Sequence, residues 1–366
     1  MAYQTTDAET AFARTLGDDS AHWGRQLARF ASDSAVFPIR PKFTLEGSRK
    51  VFCIGSCFAR NIEELLIYRG FDVLSKRAVC PKTEWASRPN GFLNKFTTHS
   101  MVQELEWMLA PRDFRDTFCE DKGGWMDLQL SPGMLPSSFE RCVERRDYIV
   151  HQYFPRIRQA DLVVVTLGLN EVWRDDQTGL WLNAPPSFYT VRKAPRYSFH
   201  VTDVAENVQQ LERLRDIVKS VNQAARILVT VSPVPLATTF SGADVAAANT
   251  LSKATLRCAA EMVCRAHDDV DYFPSFEMAS LPDRSKVYAE DGIHVREDVV
   301  KDIISLAVEA YFGLSHEPWP HFKEMRYLNN NPDIDARVRS GELESGFEHW
   351  IREGRAKGRP LGLPPM

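Results

Sequence analysis

Along this chain the apolar residues gather in short unbroken runs at Val51–Ile54, Asp161–Leu167, Arg226–Val231 and, more weakly, Val270–Phe273. Runs that are apolar throughout, rather than alternating, predict strands of a parallel sheet covered on both faces. Between them the period changes to that of a helix. Val204, Val208, Leu211, Leu214, Val218 and Val221 form one stripe, and Asp203 with Glu206 three residues on marks its start. Residues 244–267 and 297–311 carry similar patterns. Strands alternating with helices in this way predict an α/β domain of three layers, α/β/α, around a mostly parallel sheet.

Other stretches break the pattern. Residues 1–45 are polar and weakly periodic, which predicts an N-terminal arm with a short helix around His22–Phe30. Residues 80–145 and 173–200 are rich in Trp, Pro, Gly and Asn, as expected of long insertions that shape a pocket at the strand ends. Beyond Glu317-Pro-Trp-Pro320 the chain turns to compact polar helical texture. The expected division is therefore an arm (1–45), a main α/β domain (46–316) and a small C-terminal helical module (317–366).

Composition narrows the function classes. A formal charge of −4 gives no footprint for nucleic acid or an anionic membrane surface. No apolar run approaches the roughly 20 residues of a membrane helix, and the first ten residues lack the basic and apolar regions of a secretory signal. The seven cysteines, 53, 57, 80, 119, 142, 258 and 264, are odd in number and form no Cys-x-x-Cys pair. They suit reduced thiols better than a disulfide framework or a zinc site, and a cytoplasmic location is expected. His99, His151 and His200 have no mutual metal-ligand spacing, and Gly123-Gly124 reads as a turn.

The chemistry gathers at three places. The first predicted strand stops at Gly55-Ser56-Cys57 and an amphipathic helix follows at once, with Phe58, Ile62, Leu65 and Leu66 on one stripe. This puts the Ser56 hydroxyl at a strand–turn–helix junction, where free N–H groups and the positive helix end suit a developing oxyanion. Asn170 lies just past the end of a buried strand, where its amide could serve the same oxyanion or simply satisfy its own turn. Asp291-Gly-Ile-His294 supplies a base and a carboxylate to orient it, although Asp291 as a helix cap beside a surface His294 fits the same spacing. Cys57, one residue into the helix, is a rival nucleophile, but adjacent residues on this turn point in different directions, so His294 cannot serve both.

Gly55-Ser-Cys-Phe-Ala59 spells the signature of the GSCFA family, a branch of the SGNH hydrolase superfamily. Thr166-Leu-Gly-Leu-Asn-Glu-Val-Trp173, Ser232-Pro-Val-Pro235, Tyr272-Phe-Pro-Ser-Phe-Glu277 and Asp291 to His294 resemble further blocks of that family, over about residues 48–312. The resemblance implies a flavodoxin-like sheet with Ser56 as nucleophile, His294 as general base and Asp291 as its orienting acid. It implies an oxyanion hole made by the Ser56 N–H, the Asn170 side chain and a second loop in which Gly91 and Asn94 are both candidates. Cys57 departs from the Asp or Asn that more commonly follows the serine.

Residues 322–360, with a Tyr-Leu-x-x-Asn-Pro-Asp core, resemble a short helical module attached to bacterial glycan-processing enzymes. The expected activity is that of a carbohydrate O-acyl esterase, acetyl being the first choice, without metal or redox cofactor. An O-acyltransferase with an acyl-CoA donor, or a non-catalytic glycan-binding protein on the same fold, are the alternatives. Trp85, Trp107, Trp125, Trp173 and Trp181 are aromatic candidates for stacking on sugar faces. The oligomeric state stays open.

Overall fold

Five parallel strands form the central sheet in the computed structural model, which describes residues 5–32, 36–78, 80–121, 123–314, 322–355 and 357–362. They are β1 (Lys50–Gly55), β2 (Asp72–Val73), β3 (Leu162–Leu167), β4 (Arg226–Val231) and β5 (Val270–Tyr272), and they lie side by side in the order 2-1-3-4-5. That is the flavodoxin-like order, and its topological switch point falls between β1 and β3. Four of the five strands coincide with the apolar runs of the sequence. The two-residue β2 was not expected, being too short to carry a pattern.

Successive side chains of each strand enter opposite layers. Phe52 and Ile54, Val163 and Val165, and Ile227 and Val229 pack on helices α2 (Thr98–Leu109), α3 (Val204–Val221) and α4 (Val245–Ala266). Val51 and Cys53, Leu162 and Val164, and Leu228 pack on α1 (Cys57–Tyr68) and α5 (Glu297–Phe312). The predicted cap of α3 is present: the Asp203 carboxylate accepts the Glu206 N–H at 2.8 Å. The N-terminal arm contains a helix at Ala8–Ala13 and a 3-10 and α-helical turn over Trp23–Phe30.

The insertions hold two small antiparallel sheets. One is a hairpin of Phe118–Asp121 and Gly124–Asp127, turned at Gly123, whose φ is 81°. The other pairs Glu171–Asp175 with both Leu180–Leu182 and Tyr197–Val201. The first insertion is fastened to the body by a buried charge cluster. Arg146 reaches Glu104 at 2.6 Å and Asp127 at 2.5 Å, and Lys95 also pairs with Glu104, all four side chains being fully enclosed or nearly so. Two cations against two carboxylates leave no net buried charge, which is what makes such a cluster tolerable.

The C-terminal residues form α6 (Glu324–Asn330), α7 (Pro332–Arg339) and α8 (Gly346–His349) around their own small core of Phe322, Tyr327, Leu328, Ile334, Val338 and Phe347. Such short helices are stable only against a partner, and here the core leans on Ile67 and Tyr68 of α1. The Arg339 guanidinium donates to the carbonyls of Cys80 at 3.0 Å, Trp85 at 3.2 Å and Ser87 at 3.1 Å while pairing with Asp335. The boundary expected at Glu317–Pro320 lies outside the described residues.

Candidate active site

The junction after β1 is set by close packing of two strand ends. Gly55 has φ 146°, and a Cβ on it would stand 2.2 Å from Thr166 Oγ1 on β3. No other residue type fits this gap, so the chain passes flush against β3 and turns into α1 with Ser56 as its N-cap. Ser56 is 3% exposed. Its Oγ accepts the Phe58 N–H at 3.3 Å and stands 3.3 Å from Thr166 Oγ1.

Beneath the turn lies a buried polar network. The Arg60 guanidinium pairs with Glu63 at 2.9 Å and donates to the Cys53 carbonyl at 3.2 Å. The other partners of Glu63 are the Ser75 hydroxyl at 2.5 Å and the Asn90 amide at 2.6 Å. Ser75 in turn accepts the Cys53 N–H at 2.9 Å. Through this chain the helix after Ser56 carries the start of the 90–95 loop.

The far end of that loop is fixed by the Lys95 N–H, which donates to the Gly55 carbonyl at 2.7 Å. Asn183 completes the hold. Its amide donates to the carbonyls of Asn94 at 2.8 Å and Leu130 at 3.1 Å, and its oxygen accepts from the Phe96 N–H at 2.9 Å and the Ser100 hydroxyl at 3.0 Å. All four hydrogen-bonding positions of the amide are used. Nothing in the sequence pattern singled out Asn183.

The expected oxyanion donors are near this junction but engaged. The Ser56 N–H donates to Thr166 Oγ1 at 2.9 Å, the Gly91 N–H to the Arg88 carbonyl at 2.8 Å, and the Asn170 side chain to the Thr202 carbonyl at 3.0 Å. Asn94 is buried, and among the described residues its side-chain oxygen has no hydrogen-bond partner. Cys57 opens α1; burial pushes its thiol pKa up against the opposing charges of Arg88 and Lys253, so the thiol is protonated at neutral pH.

Asp291 and His294 are joined. His294 Nδ1 lies 2.6 Å from Asp291 Oδ2, while Asp291 Oδ1 accepts the N–H groups of Ile293 at 2.8 Å and His294 at 2.9 Å. The His294 ring, followed by the two N–H groups, holds the Asp291 carboxyl well below the usual carboxylate range. Asp291 is not the cap of α5, whose N-cap is Arg296. The pair sits on a loop closed by the Tyr288–Val295 bridge and by the Ala289 N–H on the His294 carbonyl at 2.8 Å.

The His294 side chain is 62% exposed. It lines a cavity of about 570 Å³ together with Leu65 and Tyr68 of α1 and Phe322 and Lys323 at the start of the C-terminal helices. Among the described residues no hydrogen bond joins Ser56 to His294: the serine faces Thr166 and the histidine faces its carboxylate. Nor do the described residues contain a group of three His, Cys, Asp or Glu side chains placed to hold a metal ion.

The family model described as "GSCFA family" matches residues 50–306, well over half of the chain. The chain belongs to the GSCFA family. The matched region begins with β1 and ends in α5, so it includes Ser56, Asn170, Asp291 and His294 and leaves out the C-terminal helices. No curated protein sequence matches this GSCFA chain. Among solved structures it is similar to a Clostridium thermocellum family 3 carbohydrate esterase, at 12% identity and TM-score 0.31, over 72% of this chain and 94% of that one. A family 3 carbohydrate esterase from Talaromyces cellulolyticus gives 12% identity and TM-score 0.30 over 71% and 96%. A carbohydrate acetylesterase family member from Sinorhizobium meliloti gives 14% and 0.30 over 73% and 100%. Overlap this loose assigns no chemistry to the GSCFA chain.

Proposed function

We propose that this GSCFA protein is a serine-dependent esterase that removes an acyl group, acetyl in the first instance, from a carbohydrate. The observation that carries the proposal is the 2.6 Å contact between His294 Nδ1 and Asp291. A carboxylate on Nδ1 fixes the tautomer in which Nε2 is a base, on a chain whose serine caps the helix after a central strand.

In this reading Ser56 Oγ attacks the ester carbonyl while His294 Nε2 takes its proton. The tetrahedral oxyanion is met by N–H groups at the start of α1 and by the amides of Asn94 and Asn170, with the N–H groups of Ser56 and Gly91 exchanging their present partners. Collapse expels the sugar oxygen, which takes the proton from His294, and water then releases the acyl group by the same route in reverse. Proton transfer needs Nε2 within roughly 3 Å of Oγ. In this reading His294 Nε2 and Ser56 Oγ come within that distance when substrate binds. Trp173, which packs with Phe199 and the half-exposed Phe240, supplies an aromatic face suited to a sugar ring.

An O-acyltransferase would use the same residues with a sugar hydroxyl in place of water and an acyl-CoA as donor. Acetate release from a peracetylated monosaccharide, set beside acetyl transfer from acetyl-CoA to a sugar acceptor, separates the two. Hydrolysis by the wild type that is lost in His294→Ala supports the proposal. Equal hydrolysis by both proteins, or none by the wild type with any acceptor, would sink it.

A further inference from the structure

Lys253 lies on α4 and is 1% exposed. Among the described residues no carboxylate pairs with it; its Nζ donates to the Gly168 carbonyl at 2.9 Å and the Val234 carbonyl at 2.8 Å. An ammonium buried without a counter-ion is expensive, and its two acceptors show what it holds. Gly168 precedes Asn170 on the loop after β3, and the neighbouring Ser252 hydroxyl accepts the Asn170 N–H at 3.1 Å. Val234 belongs to the loop after β4. There the Pro233 carbonyl accepts the Tyr288 hydroxyl at 3.0 Å, and Tyr288 is the first residue of the bridge that closes the His294 loop.

We infer that Lys253 is a positioning residue, whose charge ties the Asn170 loop to the loop after β4, whose Pro233 carbonyl holds Tyr288, and so sets the oxyanion side and the base side of the site in register. This rests on the esterase reading. A charged donor makes a hydrogen bond roughly twice as strong as a neutral one, so the tie depends on the proton. Burial lowers the pKa of Lys253 to about 7. The ionisable side chain coupled to it is the Cys57 thiol, on α1, which would favour the ammonium only as a thiolate and which burial keeps protonated, hence uncharged, at neutral pH; the loops after β3 and β4 present carbonyl oxygens to its Nζ. The cation is thus present below about pH 7 and is lost as the pH rises through that value.

The test is the rate at which a fluorophosphonate labels Ser56 between pH 5 and 10, in wild type, Lys253→Met and Lys253→Gln, with thermal melting recorded for each. Gln keeps N–H donors and removes the charge. The expected wild-type rate falls on the alkaline side of about pH 7. Both variants are expected to label about ten- to a hundredfold more slowly at the wild-type optimum and to lose that alkaline limb. Variants that label at the wild-type rate with an unchanged profile overturn the inference. If neither variant folds, a wild-type profile with no alkaline fall overturns it. A wild type that is not labelled at any pH contradicts the esterase reading itself, which is a separate result.

Discussion

Gly55 and Thr166 stand so close that a single methyl group on the glycine would fall 2.2 Å from the threonine hydroxyl. The first letter of the family signature is therefore a packing requirement between two strand ends, and Ser56 inherits its position from it. Gly55→Ala meets both a clash with β3 and a φ that side chains rarely adopt. A loss of about 3 kcal/mol or more is expected in urea unfolding. A variant as stable as the wild type would show that the strand ends separate easily.

Thr166 also satisfies Ser56 directly. Thr166→Val keeps the shape of the side chain but removes the hydroxyl that accepts the Ser56 N–H, leaving that buried donor only the Thr166 carbonyl at 3.3 Å. The expected loss is about 1–3 kcal/mol, read from the same denaturant titration. An unchanged midpoint would mean that the hydroxyl contact contributes nothing.

Asp291 orients His294 and does so as an anion. Its pKa is depressed in the folded chain, so its contribution is complete above the usual carboxylate range and disappears only when the pH falls well below it. An acid limb in the activity profile between pH 5 and 7 is therefore not the titration of Asp291. Asp291→Asn is expected to lower turnover on the order of 10²–10⁴-fold with little change in melting, since the pair is exposed. Comparing initial rates on an acetylated sugar checks this, and full activity in the variant would remove Asp291 from the mechanism.

Arg339 is the principal fastening of the C-terminal helices to the 80–87 segment. Arg339→Met would strand three backbone carbonyls and leave Asp335 with the partly exposed Lys82 at 3.2 Å. A loss of about 3–5 kcal/mol in the docking of these helices is expected. Hydrogen exchange should report it as faster exchange over residues 322–355 with little change in β1 and β3. Uniform protection in wild type and variant would count against docking through Arg339.

The sequence carried the sheet well, because three strands are long enough to be apolar on both faces, a fourth is shorter and weaker, and the helices between them bring their own stripes. Asp203 and Glu206 mark the start of α3 by local chemistry alone. Ser56, Asp291 and His294 were visible because each sits in a short pattern. What the pattern could not carry are contacts made over long separations with backbone atoms. Lys253 falls within an amphipathic helix, where a lysine reads as solvated, and only the fold shows it enclosed between the carbonyls of Gly168 and Val234. Asn183 looks like any turn asparagine until the 90–96 segment is laid beside it. The engagement of the Ser56 N–H by Thr166 was equally illegible, since the two residues lie 110 positions apart and meet only when the chain folds back to place β3 against β1.

The central claim is that Ser56 is an activated nucleophile, and covalent labelling tests it most directly. The protein is treated with a fluorophosphonate, digested and read by mass spectrometry beside Ser56→Ala and His294→Ala. The account predicts one adduct on the peptide containing Ser56, absent from Ser56→Ala and much slower to form in His294→Ala. An unlabelled wild type, an adduct on another residue, or equal labelling without His294 would contradict it.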